Sequence, residues 1–101
     1  MFNVYQYYPT FNAMKAYANL TKTERLIIEN LDKLNNKFDG GYSQFTRNVL
    51  NLDVKKNVSN VRKAMLNLQG LNVVCILTNV GTNKTTIYLN YNWIEELEKR
   101  G

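Results

Sequence analysis

Two neighbouring segments near the C-terminus have the pattern of β-strands, and they constrain the fold more than any other feature. Residues 73–78 are apolar and β-branched, and residues 86–91 alternate apolar with more polar side chains. Only a short polar turn at residues 80–84 separates them, so the two segments predict a β-hairpin. The inward side of the second strand is predicted to consist of Ile87, Leu89 and Tyr91. Together with the helical patterns that precede it, the hairpin predicts an α+β fold.

Helical spacing dominates the N-terminal third of the chain. Pro9-Thr10 opens a predicted first helix with Phe11, Met14 and Ala18 on its inner side. The next helix begins with Thr21-Lys22-Thr23-Glu24, a capping box in which the Thr hydroxyl and the Glu carboxylate bind free backbone amides. Its predicted inner face consists of Ile27, Leu31 and Leu34, and it should end near Asn35-Asn36.

A short strand and a further helix are predicted between residues 37 and 52. The strand lies around Phe38, and Gly40-Gly41 forms the turn after it. Ser43 is the predicted cap of the helix, because a Ser hydroxyl accepts hydrogen bonds from free amides at a helix start. The inner side of this helix is predicted to hold Phe45, Val49 and Leu52.

The helix predicted for residues 57–69 has two contrasting sides. Residues 53–56 form a polar turn before it, Asn57 is its predicted cap, and Gly70 ends it. At about 100° per residue, one arc of the helix is apolar and Lys63 points almost directly away from it. That arc consists of Val58, Val61, Met65 and Leu68, whereas Ser59, Asn60 and Asn67 lie within roughly 60° of Lys63.

A final short helix is predicted after Asn92, which has Glu95 three residues further on as in a capping box. Its apolar residues and the aromatic N-terminal segment either complete a small core or form a subunit interface, since aromatic residues are enriched at interface cores. We favour a homodimer in which these aromatic and apolar residues form the contact. The predicted dimer interface contains Tyr5, Phe11, Trp93 and Leu97.

The net charge of +5 is concentrated in the middle of the chain. Residues 40–90 hold six basic residues and a single acidic one, whereas the segments on either side are close to neutral. A concentrated positive field attracts polyanions such as nucleic acids. A solvated basic face is the alternative interpretation, and charge by itself favours it.

The residue types present argue against several classes of protein. The sequence has no histidine, which removes Ser-His-Asp and Cys-His sites and the commonest zinc ligand sets. No Gly-rich phosphate loop follows a strand, so we expect a protein that is not an enzyme and needs no cofactor or metal.

Cys75 is the only cysteine, and we expect it in the core. Without a signal peptide or an apolar stretch of about 20 residues, we expect a cytoplasmic protein without membrane contact.

Residues 56–71, KNVSNVRKAMLNLQGL, and the order of helix, helix, turn, helix and hairpin resemble the winged helix-turn-helix family. In that family a capped recognition helix leads into the first strand of the hairpin, the wing, through a step similar to Leu68-Gln69-Gly70-Leu71. The resemblance covers residues 21–91 and implies a three-helix core with a β-hairpin wing. The 101 residues then form one domain, with an N-terminal extension at residues 1–20 and a C-terminal helix at residues 92–101.

The resemblance implies a DNA-binding surface on the helix at residues 57–69, the helix before it and the wing loop. Asn and Lys side chains suit base edges, a capped helix start beside two lysines suits a phosphate, and a small basic loop suits a minor groove. Capping or simple solvation is the alternative role of these residues. The predicted DNA contacts are Ser43, Gln44, Arg47, Lys55, Lys56, Asn57, Ser59, Asn60, Arg62, Lys63, Asn67, Thr82, Asn83, Lys84 and Thr85.

We therefore expect sequence-preferring binding of double-stranded DNA by a homodimer. Sixteen asparagines and nine lysines against four arginines indicate an AT-rich genome. The opening at residues 20–24 is similar to replication and regulatory proteins of plasmids, and the overall size and architecture are similar to relaxosome accessory factors of conjugation. These resemblances imply a role at a transfer or replication origin or a promoter, with a relaxase or replication protein as partner. A winged-helix module that binds protein, and one that binds RNA, are the alternatives.

Overall fold

A computed structural model describes residues 11–100 of the chain, and it confirms the α+β class. The elements, in chain order, are α1 (Phe11–Ala18), α2 (Lys22–Lys33), β1 (Lys37–Asp39), α3 (Tyr42–Gln44), which continues into a π-helical turn (Phe45–Val49), α4 (Val54–Gly70), β2 (Val74–Asn79), β3 (Lys84–Leu89) and α5 (Trp93–Glu98). The predicted hairpin and the predicted short strand around Phe38 are both present.

The three strands form one antiparallel sheet in which β3 lies between β1 and β2. Ile87 of β3 is paired with Phe38 on one side and with Ile76 on the other, so these three side chains lie on the same face. Ile87 is fully buried, and Phe38 and Ile76 pack against the core. The sheet therefore forms one wall of the hydrophobic core.

Helices α2 and α4 form much of the core that this sheet covers. Their fully buried side chains include Ile27 and Leu31 from α2 and Met65 and Leu68 from α4. Phe45, from the π-helical turn, is also fully buried and meets Phe38 edge-on, with ring centroids 5.2 Å apart. The core thus joins both main helices to the turn between them and to the sheet.

Helices α1 and α5 pack against each other and complete the core. The rings of Tyr17 and Trp93 lie 6.2 Å apart, and the Tyr17 hydroxyl donates a hydrogen bond to Glu29 of α2 at 3.0 Å. Burial, and then the adjacent Glu29 carboxylate, raises the pKa of the Tyr17 hydroxyl. This contact therefore joins α1 to α2 as well as to α5.

Of the residues predicted for a dimer interface, two lie in the core and one lies at the surface. Trp93 is 5% exposed and Leu97 is 1% exposed within a single chain. They belong to the core and offer almost no surface to a second copy, which corrects their predicted role. Phe11 is 73% exposed, and Tyr5 lies outside the described residues.

Two helices begin at different residues from those predicted. The cap of α3 is Gly41, and Ser43 lies inside the helix. The cap of α4 is Asp53, whose carboxylate accepts a hydrogen bond from the Lys55 amide at 3.0 Å. The predicted polar turn at residues 53–56 is therefore mostly the first turn of α4, and Asn57 lies within the helix.

The end of α4 also differs from the prediction, because Gly70 is the last helical residue and does not follow the helix. Asn72 adopts the left-handed conformation instead, with a φ of 62°. The amides of Asn72 and Val73 donate to the carbonyls of Gln69 and Leu68, at 3.0 and 2.9 Å. This is the Schellman pattern, in which a left-handed residue ends the helix and binds its last free carbonyls.

Several apolar residues predicted to face the core lie at the surface. The inner side of α1 consists of Ala13 and Ala16, with Met14 partly buried. Strand β3 ends at Leu89, and Tyr91 lies beyond it with 95% of its surface exposed. Asn92 has the predicted position before α5 but makes no capping hydrogen bond with its side chain. The misplaced apolar residues are Phe11, Ala18, Leu34, Leu52 and Tyr91, and Cys75 is only partly buried.

Candidate nucleic-acid interface

The exposed side of α4 is strongly basic. Four lysines and arginines lie in this helix, all of them exposed, and residues 54–70 contain no acidic residue. The opposite side holds Val61, Met65 and Leu68, which are fully buried. The helical period therefore separates an apolar side from a cationic one. The exposed residues of this basic face are Lys55, Lys56, Ser59, Arg62 and Lys63.

Asn60 and Asn67, two of the predicted base-reading residues, connect α4 to α2. The Asn60 side-chain amide donates to the Thr23 hydroxyl at 3.1 Å. The Asn67 side-chain amide donates to the carboxylate of Glu24, whose other oxygen accepts from the Thr21 backbone amide at 2.8 Å. Each Asn therefore already uses one amide hydrogen within the protein, which restricts how its second hydrogen and its oxygen can turn toward a base edge.

The start of α4 does not offer the predicted anion site. The carboxylate of Asp53 caps the helix, so a negative group already occupies the position that a phosphate would need. The Asn57 side-chain amide donates to the Asp53 carbonyl at 2.8 Å. Asn57 also lies about 120° around the helix from Lys63, away from the basic face. The lysine side chains at residues 55 and 56 are exposed and stay in the candidate interface.

A groove of about 460 Å³ separates α4 from the first turn of α3. Ser43 and Gln44 line it from α3, and Ser59 and Arg62 line it from α4. The Gln44 side-chain oxygen accepts a hydrogen bond from the Gly41 amide at 3.0 Å. The structure thus brings together predicted contacts from both helices; Arg47 is exposed but does not line this groove.

A second groove, of about 700 Å³, lies between the turn at Gly40-Gly41 and the hairpin. Asn83, Lys84 and Thr85 line its hairpin side. Gly41 and Gln44 line both grooves, so the two are adjacent and lead from the hairpin to the basic face of α4. Gly40 is essential to this turn, because a Cβ atom there would lie 2.6 Å from both the Phe38 ring and the Gln44 side chain.

The hairpin loop consists of residues 80–83, and Lys84 and Thr85 belong to strand β3. The Asn79 side-chain oxygen accepts hydrogen bonds from the amides of Gly81 and Thr82, at 2.9 and 3.3 Å. Asn83 has a left-handed backbone, with a φ of 54°. These features fix the path of the loop, and Thr82, Asn83 and Lys84 are exposed along it.

The sequence pattern missed the contact between α2 and the middle of α4. Thr23 and Glu24 lie directly against the middle of α4, and nothing in the helical periods of α2 and α4 predicts which turns meet. Leu66 lies between the basic side chains of α4 and is 46% exposed, in line with its position outside the apolar arc of Val58, Val61, Met65 and Leu68.

Comparisons with family models, curated proteins and solved structures find no match for this chain. Among residues 11–100, no helix is long and apolar enough to cross a membrane. The same part of the chain contains no group of three or more Cys, Asp or Glu side chains arranged to hold a metal ion.

Proposed function

We propose that this chain is a winged helix-turn-helix domain that binds double-stranded DNA with a sequence preference. The observation that carries the proposal is the basic face of α4, which has four cationic side chains, no acidic one, and two adjacent grooves that lead toward the hairpin. The order of α2, β1, α3, α4 and the β2–β3 hairpin supports the family assignment, with α4 as recognition helix and the hairpin as wing.

The dimensions and chemistry of α4 suit the major groove of DNA. An α-helix with its side chains is about 10–12 Å across, and the major groove is about 12 Å wide. Ser59 and Lys63 lie centrally on the basic face, where they would meet base edges. Arg62, at the edge beside α3, would contact phosphate, as would Lys84 of the wing. Affinity would come mainly from phosphate neutralisation and sequence preference from α4.

We further propose a homodimer that acts in the cytoplasm as an accessory or regulatory factor at an origin or promoter of a mobile element. Phe11 is the exposed residue that supports a subunit contact near α1. Residue usage and the opening at residues 20–24 support the mobile-element setting. A relaxase or a replication protein is the proposed macromolecular partner, and the proposed role is binding without catalysis.

The exposed Leu66 favours a second candidate function, a winged-helix module that binds another protein through α4. An apolar side chain within a basic face could pack against a protein partner, and it could equally contact a thymine methyl group of DNA. The two functions differ in salt dependence, because DNA binding releases counterions in proportion to the phosphates contacted.

The decisive experiment selects binding sites from a random duplex pool and measures affinity by fluorescence anisotropy over a range of salt concentrations. We expect Lys63→Ala to reduce discrimination between the selected and scrambled duplexes by about 1–3 kcal/mol. Lys99→Ala is the matched control, because Lys99 is an exposed lysine directly after α5 that pairs with Glu96 at 3.1 Å. It should change affinity by less than about twofold.

Absence of salt-dependent binding to any duplex would overturn the DNA proposal. Equal discrimination by the Lys63→Ala protein and the wild type would refute base reading by Lys63. Tighter binding to an RNA duplex of the same sequence would instead indicate an RNA-binding domain.

A further inference from the structure

The first turn of α2 borders the basic face of α4 on a different flank from α3 and the wing. Asn60 and Asn67 of α4 bond to Thr23 and Glu24, which are consecutive residues of α2. The two asparagines are seven residues apart, or roughly 10 Å along the helix axis. The first turn of α2 is therefore held against the middle of α4 at two points.

A cavity of about 550 Å³ marks this junction. Thr21 and Glu24 line it from α2, and Lys63 and Leu66 are among the residues that line it from α4. Lys22 is exposed and directly precedes Thr23, so its ammonium group lies within roughly 10 Å of the Thr23 backbone. Lys22, which belongs to a part of the sequence that is close to neutral, can therefore reach the flank of the basic face.

The nearby Glu24 carboxylate is buried in the junction between α2 and α4, whereas Lys22 is exposed to solvent. Glu24 is only 3% exposed, and its two carboxylate oxygens accept hydrogen bonds from Thr21 and Asn67. The capping box also occupies amides at the start of α2, so attraction of an anion would come from the Lys22 side chain. Arg25 donates to the carbonyl oxygens of Ala18 and Leu20, so it points toward the end of α1.

We propose that Lys22 contacts a DNA phosphate on the strand opposite to the one that α3 and the wing approach. This inference rests on the proposed function. A helix that fills the major groove has a sugar-phosphate backbone along each flank. With α3 and the wing on one flank of α4, the first turn of α2 faces the other backbone. A phosphate contact adds affinity equally for all sequences and carries no base discrimination.

Lys33 provides a matched control on the same helix. Lys22 and Lys33 are the first and last residues of α2, both are exposed, and they are separated by roughly 16 Å of helix axis. The end of α2 meets the β3 side of the fold, where the Asn36 carbonyl accepts from the Leu89 amide at 2.9 Å. Substituting either lysine by alanine removes the same charge and the same side chain, from opposite ends of the helix.

The experiment compares Lys22→Ala and Lys33→Ala with the wild type on the selected and the scrambled duplex, each across a range of salt concentrations. We expect Lys22→Ala to weaken binding to both duplexes equally, about three- to tenfold, and to lower the slope of log affinity against log salt by about 1. Lys33→Ala should leave both quantities close to wild type. Lys22→Glu should weaken binding further.

The outcomes separate this inference from the proposed function. If wild-type protein binds DNA with a strong salt dependence and the two alanine variants behave alike, the Lys22 contact is refuted while DNA binding stands. A loss confined to the selected duplex would also refute it, because it would indicate a base contact. Absence of wild-type binding would refute both. Urea unfolding of each variant checks folding, which should be intact: removing Lys22 from a helix start is not unfavourable, and removing Lys33 from a helix end costs only about 0.3–1 kcal/mol.

Discussion

Among residues 11–100, five asparagines adopt a left-handed backbone, a conformation that glycine usually supplies. Their φ values range from 54° to 68°, and they follow α2, the π-helical turn and α4 or lie in the hairpin loop. Among residues with a Cβ atom, Asn tolerates this conformation best because its short polar side chain bonds locally. The asparagine content of the sequence therefore also has a conformational role. The residues are Asn35, Asn36, Asn51, Asn72 and Asn83.

Asn72 tests this role most directly, because it ends the proposed recognition helix. We expect Asn72→Ala to lower the free energy of unfolding by about 1 kcal/mol, since a left-handed backbone is strained for alanine. Asn72→Gly should be close to wild type, because glycine adopts this φ without strain. Urea denaturation of the three proteins measures the difference. Equal urea midpoints for the alanine and glycine variants would show that the left-handed backbone at residue 72 does not destabilise the alanine variant.

The start of α4 shows why some element boundaries could not be predicted. Asp53 and Asn57 are both good cap residues, and they lie one helical turn apart. Only Val54 is apolar in the first turn, so the amphipathic pattern becomes clear only at Val58. In the structure the Asp53 carboxylate caps the helix, where its charge also suits the helix dipole. Asn57 then bonds back to the Asp53 carbonyl.

Leu52 is misplaced because the helix ends before it, with the π-helical turn stopping at Val49 and Asn51 adopting a left-handed backbone with a φ of 55°. The Leu50 amide donates to the Phe45 carbonyl at 3.1 Å, five residues back, whereas an α-helix closes after four. The buried Thr46 hydroxyl donates to the Tyr42 carbonyl at 2.7 Å in the same turn. One extra residue in a turn rotates the following side chains by about 100°, so a face predicted from regular α-helical spacing no longer holds. No local pattern in the sequence indicates this widening.

The contact between α2 and α4 depends on Glu24, a carboxylate that is almost fully buried. Glu24→Ala would leave the Thr21 amide and the Asn67 side chain without this acceptor, and we expect a loss of about 1–3 kcal/mol in stability. The double variant with Asn67→Ala should lose less than the sum of the two single variants, by about 0.5 kcal/mol or more. Strict additivity in urea denaturation would show that the Glu24–Asn67 bond is not a stabilising contact.

At the scale of the whole molecule, the α+β class and the order of its central elements could be predicted from sequence. The hairpin and the capping box are local signals, and each has a direct physical cause in side-chain alternation or backbone hydrogen bonding. Contacts between distant elements could not be predicted, because an apolar helical face does not indicate which other face it meets. The pairing of α1 with α5 and of α2 with α4 are the two clearest cases.

The candidate interface likewise combines features that could be predicted from the sequence with features that could not. The concentration of positive charge in residues 40–90 predicted a basic surface, and the period of α4 predicted that Lys63 would be exposed. The helical period also placed Asn60 and Asn67 on the side of α4 that is exposed. Their hydrogen bonds to α2 could not be predicted, because these depend on how the two helices cross. The same crossing places the first turn of α2, from residues 21–39 with zero net charge, beside α4.

The burial of Trp93 makes a prediction about the stability of the whole chain. Trp93 packs beside Tyr17 within one chain, so Trp93→Ala should lower the free energy of unfolding by about 3–5 kcal/mol, a large part of the total for a small domain. Because the contact is intrachain, the difference from wild type should be the same at low and high protein concentration. Urea denaturation at concentrations a hundredfold apart measures this. A difference that grows with concentration would instead place Trp93 between subunits, since association couples stability to concentration.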